Sequence, residues 1–271
     1  MSTKGVYTAL SGAMAQSLKL DTIANNLANV NTPGFKRDQQ IFQEYLTANE
    51  KMPNVIQVPK VPASVESFYD MQGGDKSFVD TAGTYTNYTQ GTLRSTGNPM
   101  DVAIDGKGFF EVATPNGVRF TRVGAFKIDG NGQLVTKDGH PVLKAGEAGS
   151  DPASRVIRIS GQSQVIITDS GDIYEGDNNI GKLSLVDVPQ KDSLNKIGAS
   201  LFDFKSNAKP EIVNVENPSF KQGYVEGSNV NVVQEMTDMI ATTRVFESTQ
   251  KAIHAYDSMA DKLINVVGSV K

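Results

Sequence analysis

Ala24-Asn25-Asn26-Leu27-Ala28-Asn29-Val30-Asn31-Thr32-Pro33-Gly34-Phe35-Lys36 is the stretch on which the reading of the chain turns. Upstream of it, Val6, Leu10, Ala13, Leu20, Ala24 and Leu27 recur as one stripe, interrupted at Ser17 and widened by Tyr7, Met14, Ile23 and Val30. That is the ~3.6-residue period of an amphipathic helix. Pro33 drives Thr32 out of the α region and Gly34 follows, so the helix is predicted to end near Asn29–Asn31. Gly5 and Gly12 each weaken it by up to about 1 kcal/mol relative to Ala, and Asn25, Asn26 and Asn29 weaken it further. Such a helix is marginal alone in water. Its stability has to come from whatever covers the stripe.

A second helical period closes the chain. Asn231 is placed as an N-cap with Gln234 at the N3 position of a capping box. Apolar residues then recur through Val232, Val233, Met236, Met239, Ile240, Phe246, Ile253, Tyr256, Ala260, Leu263, Ile264 and Val267, and neither Pro nor Gly interrupts 228–267. The predicted helix runs to roughly 35 residues, about 50 Å at ~1.5 Å per residue. Glu247 and Lys251 add an i,i+4 pair in the favourable order. Each apolar side chain gains about 1.5–3 kcal/mol if fully buried. One helix cannot bury its own stripe, so the first helix, other subunits or both must cover it. Val6, Leu10, Met14, Leu20, Ala24, Leu27, Met236, Ile240, Phe246, Ile253 and Leu263 are the candidate subunit-interface residues.

Between the helices the pattern changes from a period near four to a period of two. Val102–Ile104, Phe109–Val112, Phe120–Thr121, Ala125–Ile128, Leu134–Val135, Val156–Ile159, Val165–Thr168, Ile173–Tyr174, Leu183–Val188 and Leu201–Phe204 read as strands. Ile212–Val215 and Tyr224–Val225 read as a return path. Turn signals such as Asn116-Gly117, Asp129-Gly130 and Asp138-Gly139 separate them at the spacing of a sandwich or barrel-like body. The region from Phe35 to Leu93 is less regular. Phe42, Tyr45 and Leu46 fit a short second helix, whereas Pro53, Pro59 and Pro62 impose extended chain and Met71–Gly74 a turn. It reads as a linker or as a spacer lying along neighbouring subunits.

The expected fold is therefore α+β and mainly β. N- and C-terminal amphipathic helices form a coiled-coil-like assembly domain (1–34 and 228–271) around a central antiparallel β domain (97–205). An extended connecting region (35–96 and 206–227) joins them.

Composition removes most chemistry. The 271 residues carry a net charge of −4 and no cysteine, which excludes disulfides, thiolate metal sites and cysteine nucleophiles. No basic cluster marks a nucleic-acid partner. No window approaches the ~18 apolar residues of a membrane span, so membrane insertion is not expected. Thr8, Ser11, Gly12, Gln16 and Ser17 interrupt the N-terminal apolar run, so a cleaved signal peptide is not expected either. His140 and His254 are isolated, and neither HExxH nor GxSxG occurs. Asp105-Gly-Lys-Gly108 lacks the Walker spacing, and Asp129-Gly-Asn131-Gly-Gln133 lacks the glycine and glutamate of a calcium loop. Both read as turns. No cofactor, metal or catalytic residue is expected.

The motifs together resemble those of the flagellar rod, hook and hook-associated axial proteins. Ala24–Asn29 followed by Thr32-Pro-Gly-Phe-Lys36 resembles their N-terminal signature, Gly97–Phe110 the start of their β domain, and Gly223-Tyr-Val-Glu-Gly-Ser-Asn-Val230 with Glu235–Ile240 and Arg244–Glu247 their C-terminal signature. Asn25, Asn26, Asn29, Pro33, Gly34, Phe35, Ser228 and Asn229 are the positions that carry it. The length fits a basal-body rod protein. Gly227-Ser-Asn and Met-Thr-Asp-Met-Ile240 are nearest in wording to its proximal members, while Asp129-Gly-Asn-Gly-Gln-Leu-Val135 is equally at home in distal ones. The resemblance implies a helical tubular assembly across the periplasm, with self and other rod proteins as partners. It also implies delivery by the flagellar export apparatus as unfolded chain. A reading of another class is a β-sandwich carbohydrate-binding module dimerised by its helices. That reading needs Tyr85, Tyr88, Phe109, Phe110 and Phe120 on a concave face.

Overall fold

Helix α1 spans Lys4–Ala28 and α2 spans Val232–Lys262 in a computed structural model of the chain, which describes residues 4–47, 76–146, 151–161, 163–205 and 211–262. Asn231 Oδ1 accepts from the amides of Val233 (3.1 Å) and Gln234 (3.3 Å), as expected of the N-cap. At the other helix, the Asn29 amide bonds back to Asn25 and Asn26, after which Thr32–Gly34 turn the chain away.

Between the helices run β1 (Asp38–Thr47), β2 (Lys76–Thr86), β3 (Leu93–Ser95), β4 (Val102–Ile104), β5 (Phe109–Thr114), β6 (Gly117–Thr121), β7 (Phe126–Ile128), β8 (Leu134–Thr136), β9 (Val165–Ile167), β10 (Asp172–Glu175), β11 (Asn178–Lys182), β12 (Leu185–Asp187), β13 (Leu194–Gly198), β14 (Leu201–Phe204), β15 (Val213–Asn214), β16 (Phe220–Gln222) and β17 (Tyr224–Glu226). Phe42, Tyr45 and Leu46 belong to β1, paired with β2, and not to a helix. Pairing with a Tyr- and Thr-rich partner strand outweighs the weak helical spacing. The proline segment and the Met71–Gly74 turn lie outside the described residues.

The chain divides into two compact units. One comprises Met1–Ala24, Gln39–Tyr85 and Met236–Lys271. Within it Ala13, Ala15, Ile23 and Thr242 are buried, Thr22 Oγ1 meets Gln40 at 3.0 Å, and Gly5 lies against the Tyr256 ring.

The other unit comprises Asn25–Asp38 and Thr86–Glu235. Its centre is a six-stranded antiparallel sheet in the order β13-β14-β6-β5-β12-β15. Consecutive side chains on a strand face opposite ways, and this sheet is buried on both sides. Phe110, Leu185 and Leu201 enter one core with Val102, Ile104, Phe126, Leu134 and Phe220. Their neighbours Phe109, Val186 and Phe202 enter a second core with Phe120, Val188 and Leu194. The Phe109-Phe110 pair thus supplies one ring to each side. β4 pairs with β16 and β3 with β17, so strands from the beginning of the body are completed by strands from its end. The predicted strand Val156–Ile159 is reduced to single bridges at Val156 and Arg158, preceded by a short 3-10 turn over Pro152–Arg155.

Candidate functional site: the junction of the two signatures

The residues that carry the two terminal signatures meet in the second unit. Asn26, in the last turn of α1, is buried; its side-chain amide donates to Asp38 O at 2.8 Å and accepts from Asp38 N at 3.0 Å. It thereby pairs with the backbone as a neighbouring strand would, and closes the turn between α1 and β1. Its Nδ2 also reaches Glu235 Oε2, at 3.2 Å in the first turn of α2. Glu235 is ion-paired to Arg37 at 2.5 Å. Asn229 Oδ1 accepts from Arg37 N at 2.7 Å, and its Nδ2 donates to Asn87 O and Thr89 O. Asn29 holds the turn through Thr32 Oγ1, Ser228 Oγ accepts from Val230 N, Pro33 is half-buried, and Asn25 is exposed.

Beneath this layer lies a charged cluster with no access to water. Lys36 and Glu226 are both 0% exposed and 2.5 Å apart. Lys36 Nζ also donates to Thr89 O, and Glu226 Oε1 accepts from Gly91 N at 2.8 Å. Arg122 completes the cluster from β6's end: it donates to Gly106 O at 2.6 Å, lies over the Phe109 ring, and holds Nη1 3.5 Å from Glu226 Oε2. Burial pushes the Lys36 ammonium below its usual range, against the pull of Glu226; burial does the same to Arg122. A third cation, Lys196, sits 4.1 Å above the Phe35 ring, pairs with Asp38 at 2.8 Å and donates to Lys36 O.

Two glycines make the approach possible. Gly34 has φ +67°, and a Cβ there would lie 2.8 Å from the Arg122 and Val123 backbone; its amide donates to Glu226 O at 2.8 Å. A Cβ on Gly91 would lie 2.1 Å from Gly227 O.

Of the helical candidates, Leu10, Met14, Ala24, Met236 and Ile240 are exposed, whereas Val6, Leu20, Leu27, Phe246 and Ile253 are half-buried. Leu263 lies outside the described residues. At ~100° per residue, Tyr7, Leu10, Met14 and Leu18 form one exposed stripe on α1, roughly opposite the buried Ala13, Ala15, Ile23 and Asn26. On α2, exposed Val233, Met236 and Ile240 likewise lie opposite buried Glu235 and Thr242. Among the described residues, no group of three His, Cys, Asp or Glu side chains can hold a metal ion, and no helix is long and apolar enough to cross a membrane. Phe109, Phe110 and Phe120 are core rings, so they supply no carbohydrate-binding face. Asp129 Oδ1 accepts from Asn131 N and Gln133 N, as a turn-forming aspartate does.

The geometry defines a two-helix protein whose helix bases are fastened to a β body by the signature residues themselves. Residues 6–36 match the family described as Flagella basal body rod protein, residues 103–175 the Flagellar hook protein FlgE/F/G D1 domain, and residues 221–266 the Flagellar basal body rod FlgEFG protein C-terminal family. The chain is 34% identical over 267 residues to flagellar basal-body rod protein FlgG of Buchnera aphidicola subsp. Schizaphis graminum, covering 95% of this chain and 97% of the relative. It is 32% identical over 268 residues to flagellar basal-body rod protein FlgF of Mesorhizobium japonicum, covering 97% and 98%. It is 31% identical over 271 residues to FlgG of Bacillus subtilis, covering 97% and 98%. The chain belongs to the flagellar basal-body rod protein family.

Proposed function

We propose that the chain polymerises through its two terminal helices into the helical shaft that carries torque from motor to hook, as a structural subunit and not an enzyme. One observation carries this reading: each helix has a buried face and, opposite it, an exposed apolar face. A helix that keeps an exposed apolar face opposite its buried one belongs in a larger packed structure. The occupant is a second copy of the chain or another rod protein, coiled against the stripe. The periplasmic location and delivery by the export apparatus belong to the same proposal.

The signature wording supports a proximal, FlgF-like place. Relatives named FlgG at 34% identity and FlgF at 32% support the two places about equally, and the distal place is the second reading. Leu10→Asp and Ile240→Asp each put a charge into the seam. Cells carrying either variant are expected to lack rods and swimming, while the purified chain keeps the near-ultraviolet circular dichroism of its β body. Rods assembled at wild-type levels would refute the seam.

A further inference from the structure

Lys36 and Arg122 are buried cations reached by the chain long before Glu226, the carboxylate that pairs with both. Glu226 follows Lys36 by 190 residues, and its side chain also receives the Gly91 amide while its carbonyl receives that of Gly34. Four separated segments therefore close on one glutamate: the turn after α1, the run before β3, the end of β6, and β17. Arg122 Nη1 and Glu226 Oε2 are buried and have no hydrogen-bond partner, so the salt bridge between them is their polar contact. Without Glu226, two cations would stay unpaired in a buried site, where charge is poorly solvated.

From this geometry we infer that Glu226 is a latch that makes ordering of the N-terminal signature conditional on arrival of the C-terminal one. Local hairpins such as β5–β6 close on short loops. The Lys36–Glu226 contact joins positions 190 residues apart, and contacts of such range form late. The contacts that Gly34 and Lys36 make with Glu226 are thus left unmade until Tyr224–Glu226 has paired with β3. The device operates within one chain, so it stands or falls independently of assembly through the helices.

Pulse-labelling hydrogen exchange during refolding of the full wild-type chain tests the order. The Gly34 and Gly91 amides should gain protection together, after the β5–β6 amides. Protection of Gly34 as early as the hairpin would overturn the proposal. At equilibrium, Glu226→Gln should speed exchange at both glycine amides by on the order of a hundredfold. Combining it with Lys36→Met should recover part of that protection, because one of the two stranded cations is removed. Additive losses in the double variant, or unchanged exchange in Glu226→Gln, would contradict the latch.

Discussion

Gly34 and Lys36 set the tightest constraints at the scale of single residues. Gly34→Ala places a Cβ in a left-handed backbone and against the Arg122 and Val123 main chain, neither of which can yield cheaply. The expected loss is about 2 kcal/mol or more, read from urea denaturation. Lys36 gives a pH signature. Its folded pKa lies below 10.5 because of burial, so between the two values the unfolded chain holds more protons than the folded one. Stability from this group is therefore gained as pH rises through the folded pKa towards 10.5, and lost as pH falls through it. Wild type should become progressively more stable relative to Lys36→Met across that alkaline window. A constant or shrinking gap would contradict the buried, charged state. The sequence showed the residues of this site without their pairing. Lys36 and Glu226 both stand in signature stretches, and opposite charges beside apolar runs were the available signal. Nothing local joins positions 190 residues apart, and Arg122 follows Phe120-Thr121 as any exposed strand-end cation would.

Elements were legible where periodicity was strong. Both helices appear where the apolar stripes place them, and Asn231 caps α2. Asn231→Ala should cost about 1 kcal/mol and speed hydrogen exchange at the Val233 and Gln234 amides without disturbing Glu111 or Phe120; unaltered exchange would deny the cap its role. The strands missed are those whose side chains carry no alternating burial. β11 (Asn178–Lys182) is polar, has no buried residue, and holds the edge of the sheet β11-β10-β9. In β13 only Leu194 is buried. β1 mimicked a helix because Phe42, Tyr45 and Leu46 fall at helical spacing, and its partner β2 begins beyond a proline-rich run. The helix stripe was also read as one face. The fold divides it into a buried side and an exposed side, a distinction that depends on which neighbours the same chain supplies.

For the molecule as a whole, the fold explains why both terminal signatures belong to one family pattern. The N-terminal signature ends α1 and the C-terminal one begins α2, and each is held by the other and by the β body. Asn26 joins Asp38 to Glu235, Lys36 joins Glu226, and Asn229 joins Arg37 to Asn87 and Thr89. The exposed apolar faces of the helices are where the proposed neighbours would pack. Electron microscopy of purified basal bodies carrying this chain with a small density tag in the Asn116-Gly117 turn tests that account most directly. The account predicts tag density along the rod between motor ring and hook, arranged helically. Tag density confined to the membrane ring, the hook or no fixed position would contradict it.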